Sequence, residues 1–170
     1  MVDFILYLLV FLIKILQLIF LLFVKIKMIN MNFSPELTPK EMLELGVFGG
    51  WYFQKNMSEY PKDWFKKAKI SNDGFKTDLN YFKIESGQTL QVWQNKGWIT
   101  HEDPLGWFQW YCRYFMGRRI NKIDDFQIKR WRAFGPRHIG GIKKNCEVGD
   151  IWCRPKQRQA LLQWAYDPFF

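Results

Sequence analysis

The hydrophobic pattern changes character once along the chain. From Phe4 to Val24, 18 of 21 positions are Leu, Ile, Phe or Val, broken only by Tyr7, Lys14 and Gln17. The run is continuous and not amphipathic, and about 20 such residues span a bilayer core as a helix. Beyond Met31 the apolar positions recur at helical spacing between prolines and glycines. No strand-like alternation there extends past a short stretch, so any sheet is small.

Five prolines, Pro39, Pro61, Pro104, Pro136 and Pro155, sit where helices should begin, in the first turn that tolerates a missing N–H. Thr38-Pro39-Lys40-Glu41 reads as a capping box, and Gly46 as the left-handed stop of that helix. A second helix is expected from Pro61. A third runs from a Ser86 cap to Gly97. A fourth runs from Pro104 to Gly117 and is capped by Asp103; being apolar nearly all round, it should be central and buried. A fifth begins at Asp124 or Asp125, which read as a cap, and ends at Phe134. Its inward stripe is Ile123, Gln127, Trp131 and Phe134. A weak sixth follows Pro136, spoiled by Gly140-Gly141, and the last runs from Pro155 to Tyr166. The expected fold is all-α: a hydrophobic N-terminal helix over residues 1–31, then one compact domain of five to six short helices over 32–170. Its expected core is Trp64, Phe65, Trp93, Trp107, Phe108, Tyr111, Trp131, Leu161 and Trp164.

The N-terminal run predicts membrane insertion. Its 18 apolar side chains, at roughly −0.3 to −0.6 kcal/mol each, outweigh one central Lys at about +2.5 to +3.5. A cleaved signal fits less well, because the leading charge is Asp3 and the first Ala is Ala68. Lys25 and Lys27 follow the run, which predicts a single-pass anchor, Phe4–Val24, with the C-terminal domain cytoplasmic. The alternative is that the run, built of residue types that A/T-rich codons encode, is translated upstream DNA. Met28 or Met31 is then the start of an intracellular soluble protein.

Charge narrows the functional classes. Of 25 Lys and Arg against 16 Asp and Glu, net +9, the excess lies in residues 104–158. That third holds all eight Arg and five Lys against four acids, while residues 28–103 carry nine Lys against ten acids. Aromatic residues, 19% of the chain, interleave with these cations. Such content excludes a disordered acidic chain. Guanidinium groups suit phosphates, and Trp and Tyr suit bases. The candidate nucleic-acid or polyanion surface comprises Arg118, Arg119, Lys129, Arg130, Arg132, Arg137, His138, Lys143, Lys144, Arg154, Lys156 and Arg158. The competing reading is a solvated or internally paired basic face. Anionic lipid is a further partner for the same face, with Phe4–Val24 as tether. A third alternative is an enzyme acting on a phosphorylated substrate, for which a deep pocket holding His138 or Asp150 among arginines would speak.

Recognisable catalytic motifs are lacking. There is no G-x-S-x-G, P-loop or G-x-G-x-x-G, and the only histidines are His101 and His138. No catalytic residue or cofactor is assigned. Cys112, Cys146, Cys153 and His138 form a three-Cys, one-His zinc set, but Cys146 and Cys153 are spaced too widely for a knuckle. The expectation is therefore buried free thiols, without a Cys146–Cys153 disulfide in a reducing compartment.

Four segments carry a resemblance: Thr38 to Leu43 with Leu45-Gly46-Val47-Phe48-Gly49-Gly50; Leu79-Asn80-Tyr81-Phe82; Asp103-Pro104 to Arg119; and Cys153-Arg154-Pro155-Lys156-Gln157-Arg158-Gln159 to Asp167. Together they resemble a widespread uncharacterised family of small, basic, aromatic-rich proteins found in eukaryotes and bacteria. The likeness covers about residues 36–167. It implies no function, since no activity, cofactor or catalytic residue is attached to that family. The run before Met31 is not part of the pattern, and Gly140-Gly141 departs from it.

Overall fold

Thr38 and Glu41 close the first helix reciprocally. Thr38 Oγ1 accepts from the Glu41 N–H at 3.2 Å, and Glu41 Oε2 accepts from the Thr38 N–H at 2.7 Å, which satisfies two orphan donors at once. Helix α1 spans Pro39–Leu45 and stops at Gly46, with φ +79°. A Cβ at Gly46 would stand 2.0 Å from the Leu79 carbonyl oxygen, so both the backbone angle and the close approach require glycine.

The computed structural model describes residues 10–16, 19, 33–53 and 57–170. The chain divides into two compact units, Met1–Ser34 and Pro35–Phe170. In the first, residues 10–16 are helical, and Val10, Phe11, Leu12, Ile13 and Leu16 are exposed. The remainder of the expected anchor Phe4–Val24, residue 19 excepted, lies outside the described residues. Among the described residues no helix is long and apolar enough to cross a membrane.

The second unit is all-α, as expected. After α1 come α2 (Leu90–Asn95), α3 (Trp107–Phe115), α4 (Asn121–Asn145) and α5 (Pro155–Leu162). Single 3₁₀ turns at Phe48–Gly50, Met57–Glu59, Lys62–Phe65 and Thr77–Leu79 fill the long connections. Helix α3 is central: seven of its nine residues are buried, on every side of the helix. Trp107 stacks on Tyr111 and Trp164, with centroids 5.2 and 4.8 Å away. Trp110 donates its indole N–H to Asp124 at 2.9 Å. Of the nine expected core residues, Trp64, Trp107, Phe108, Tyr111, Trp131 and Leu161 are buried, whereas Phe65, Trp93 and Trp164 are half-buried.

Several expected boundaries are corrected. Pro61 precedes a 3₁₀ turn and starts no α-helix. The third helix is capped by Thr89, whose Oγ1 accepts from the Val92 N–H, while the Ser86 hydroxyl donates to the Lys156 carbonyl. Pro104 lies in a turn, closed by the Gly106 N–H on the Asp103 carbonyl, that delays α3 to Trp107. The last helix ends at Leu162, short of Tyr166. Helix α4 begins at Asn121, and buried Asp124 reaches back to the Ile120 N–H at 2.8 Å.

The largest correction is α4 itself. The expected fifth and sixth helices are one 25-residue helix running through Pro136. Proline forfeits a bond to the carbonyl four residues back, so tertiary contacts must hold this turn. Tyr166 supplies them. Its ring stacks on Trp131 at 4.6 Å, its hydroxyl donates to the Trp131 carbonyl at 2.7 Å, and it fills the space where a Gly135 Cβ would clash. The Trp131 indole N–H also donates to the Trp164 carbonyl, at 2.8 Å.

Cys146 and Cys153 are joined by a disulfide, against the expectation of free thiols, while Cys112 is free and buried. The end of α4 and a turn at Glu147–Asp150 bring their Cα atoms to 5.8 Å. Asp150 Oδ1 then accepts from the Trp152 and Cys153 N–H groups, both at 3.0 Å. A loop this short removes about 2.5 kcal/mol of chain entropy from the unfolded state. Reduction, or Cys146→Ser with Cys153→Ser, is therefore expected to lower unfolding stability by about 2 kcal/mol. Equal midpoints in urea with and without reductant would show that the crosslink contributes nothing.

Candidate functional site

Helices α4 and α5 each present a second stripe, distinct from the core face. On α4 it is Arg130, Ala133, Phe134, Arg137 and His138, at i, i+3, i+4, i+7 and i+8. On α5 and the turn after it, the stripe is Lys156, Gln157, Ala160, Gln163 and Trp164. Together with Trp93, Lys96, Trp98 and Ile99 around α2, and Phe48, Tyr52, Trp107 and Phe108, these stripes wall a cleft of about 690 Å³. Ser86, Gly87 and Gln88 form its lip. The Ser86–Lys156 bond and a Gln163 Nε2 bond to the Ser86 carbonyl at 3.2 Å tie that lip to α5.

A ladder of planar groups runs along the wall. Lys96 Nζ lies 4.7 Å from the Trp98 ring, and the Arg130 guanidinium 4.8 Å from that ring. Arg130 also lies 5.2 Å from Trp164, which stacks on Phe134 at 4.6 Å; Phe134 in turn stacks on His138 at 3.9 Å. Trp93, Trp98, Phe134 and Trp164 are all half-buried.

The cleft is electrostatically one-sided. Lys96, Arg130, Arg137 and Lys156 line it, and among the described residues no Asp or Glu does. Arg130 shows the consequence. Its Nη1 donates to Gln127 Oε1 at 2.9 Å and to the Trp98 carbonyl at 3.3 Å, so its partners are neutral. Burial without a carboxylate pulls its pKa down to about 10. It stays a cation at neutral pH, but a desolvated one. His138 Nδ1 lies 3.1 Å from the Phe134 carbonyl. A carbonyl only accepts, so Nδ1 is the donor in this contact.

The twelve expected binding residues divide into three groups. Arg130, Arg137, His138 and Lys156 meet in the cleft. Lys129, Arg132, Lys143, Lys144 and Arg154 are exposed elsewhere on α4 and at the start of α5. The other three face the protein. Arg118 pairs with buried Asp103 at 2.6 Å. Arg119 lies 3.6 Å over the Tyr114 ring and donates to the Tyr114 and Arg118 carbonyls. Arg158 is 1% exposed among backbone carbonyls.

Other candidate chemistry separates. With Cys146 and Cys153 bonded to each other, the zinc set is not assembled; among the described residues no three His, Cys, Asp or Glu side chains converge for a metal. Asp124 is buried against Trp110 while Asp125 is exposed. Asp150 caps the disulfide loop and does not line the cleft.

Sequence reasoning missed Lys96, Trp98 and the lip at Ser86–Gln88, and it placed Trp93 and Trp164 in the core. Lys96 sits in the segment whose acids cancel its lysines, so a charge count hides it. Spacing marks a tryptophan as inward-facing but does not tell a filled interior from a gap. No family model, curated protein or solved structure matches the chain.

Proposed function

We propose that the protein is a nucleic-acid-binding module that takes a single strand in the cleft between α4, α5 and the α2 segment. The carrying observation is the convergence, among the described residues, of four cations and no carboxylate on a cavity walled by half-buried rings. A cavity of about 690 Å³ lies within the roughly 300–1,000 Å³ typical of ligand sites. A base offers a planar face to Trp93, Trp98 and Trp164, and stacking on such rings is worth about 1–3 kcal/mol. Lys96, Arg137 and Lys156 are placed for the flanking phosphates. Arg130 gains a counter-charge or acceptor in place of lost water. A duplex, whose bases are already stacked and paired, presents no such face.

Quenching of tryptophan fluorescence in the full chain tests this. A single-stranded oligonucleotide is expected to bind at about 50 mM salt, with log affinity falling against log salt at a slope near −2, about −0.7 for each of three phosphate contacts. Polyphosphate, which has the charge without the bases, is expected to bind about tenfold more weakly. No binding of the strand at that salt would end the proposal. Equal binding of polyphosphate would reduce the cleft to a charge trap. Displacement of the strand by anionic vesicles would favour the lipid alternative.

A further inference from the structure

Among the described residues of Pro35–Phe170, the two most exposed large apolar side chains lie on one loop, Val148 at 104% and Trp152 at 57%. The Cys146–Cys153 disulfide closes that loop, so its apolar tip is displayed with little ordering left to lose on binding. Trp152 belongs to an aromatic patch. It stacks on half-buried Tyr81 at 6.3 Å, and Tyr81 meets half-buried Phe169 at 4.9 Å. Buried Phe82 backs both Trp152 and Phe169, at 5.8 and 6.0 Å. None of Tyr81, Val148, Trp152 or Phe169 lines the cleft. Cations rim the patch. Lys69 lies 5.8 Å over the Tyr81 ring, and Lys143 lies 5.7 Å over Phe170, the neighbour of Phe169. Lys83 and Arg154 follow Phe82 and Cys153 directly, and both hold left-handed backbone, φ +52° and +54°, which a non-glycine residue adopts only against steric strain. Burial, with the Lys83 charge nearby, lowers the Lys69 pKa. Among the described residues none of these four cations forms an ion pair. Asp150 and Asp167 accept from the backbone N–H groups of Trp152 and Cys153 and of Phe169, and Glu147 is exposed on the loop.

We propose that this patch docks on an anionic bilayer surface, with Val148 and Trp152 entering the headgroup region and Lys69, Lys83, Lys143 and Arg154 facing the lipid charges. The inference stands apart from the nucleic-acid reading and uses a different part of the molecule. Tip and rim together select the partner. Trp and Tyr rings, apolar with a polar edge, favour the membrane–water interface. Cations without carboxylate partners favour a negative surface, and salt screens that attraction. A nucleic acid would use the charge but offers no solvent for a fully exposed valine, whereas the acyl boundary of a bilayer does. A second copy of the chain fits poorly, because a self-paired patch would set the same cations against each other. So small an apolar tip implies shallow, reversible docking and no spanning of the bilayer.

Vesicles whose acyl chains carry bromine, which quenches tryptophan on contact, make the test. The full chain is compared with full-length Trp152→Phe on phosphatidylcholine vesicles with and without phosphatidylserine. The apolar run before Met31 contains no tryptophan, so the difference between the two proteins reports the loop whether or not that run inserts. With phosphatidylserine, wild type is expected to be quenched and Trp152→Phe to lose most of that quenching. Without it, or at about 1 M salt, where the Debye length is about 3 Å, the two proteins are expected to differ little. Val148→Asp changes a fully exposed side chain and leaves the fold intact; it is expected to raise the lipid concentration for half-maximal quenching about tenfold. Equal quenching of wild type and Trp152→Phe on phosphatidylserine would overturn the proposal. Equal quenching of Trp152 with and without phosphatidylserine would remove the role of the basic rim and overturn it too. A dimer in sedimentation that Val148→Asp dissociates, with Trp152 untouched by lipid, would make the patch a subunit interface instead.

Discussion

Replacing Asp103 with Ala will cost about 3–5 kcal/mol of folding stability, because it strands buried positive charge. Asp103 is fully buried, and its carboxylate faces two guanidinium groups. Oδ1 accepts from Arg113 at 3.1 Å and from Arg118 at 2.8 Å, and Oδ2 accepts from Arg118 at 2.6 Å. Arg113 keeps a second partner, Glu59, at 2.5 and 2.9 Å; hydrogen bonding to that carboxylate, more than to Asp103, raises its pKa. Among the described residues Arg118 has Asp103 as its carboxylate partner, so it bears most of the loss. Urea unfolding followed by tryptophan fluorescence measures the change, and a fall of less than about 1 kcal/mol would mean that the pair is effectively solvated. Removing Arg118 as well is expected to restore part of the loss, since an apolar group at the same site carries no desolvation cost. That non-additivity separates ion pairing from simple cavity formation.

The same geometry explains how much of the candidate site was legible in the sequence. The charge count pointed to residues 104–158, and four of the twelve named residues do converge on the cleft. A count has no sign for direction, however. Arg118 follows α3 at a distance that brings it back onto Asp103, and only the turn at Gly117, φ +105°, decides this. The fold class and the buried α3 were readable, because a helix apolar on every side has no exposed option. The α1 capping box was readable because it is local. The cleft was not, and Pro136 is the reason. Ending a helix there is the correct local inference, yet it cuts the stripe Arg130, Ala133, Phe134, Arg137, His138 in two. What keeps α4 continuous lies 30 residues downstream, in Tyr166 packed on Gly135 and bonded to Trp131. Contacts so distant leave no spacing to read. The disulfide was missed for a similar reason: the expectation rested on compartment, whereas the end of α4 sets the approach of the two Cα atoms.

Arg158 gives the converse case, a cation that looks like a ligand contact and is a structural peg. Replacing it with Met is expected to destabilise the fold by about 3–5 kcal/mol while leaving the oligonucleotide affinity of the folded fraction unchanged. Its Nε donates to the Cys153 carbonyl at 2.9 Å, Nη2 to Asp150 at 2.9 Å, and Nη1 to Pro168 and to Phe170, the latter at 3.0 Å. One planar group thus joins the disulfide loop, α5 and residues 168–170. Burial lowers its pKa, with the Asp150 charge opposing. Met matches much of the volume but leaves four carbonyls without a donor, and each buried group so stranded costs about 1–3 kcal/mol before relaxation. Lys restores the charge but cannot span four acceptors from one nitrogen, so it is expected to recover less than half of the loss. The binding half of the prediction is what gives it functional weight. Arg137→Ala, on the cleft, should weaken strand binding and flatten the salt slope by about 0.7 with little effect on stability; Arg158→Met should do the reverse. If Arg158→Met instead weakened binding at full occupancy of the folded state, the basic residues would act as one continuous surface, and the division between pegs and cleft would be wrong.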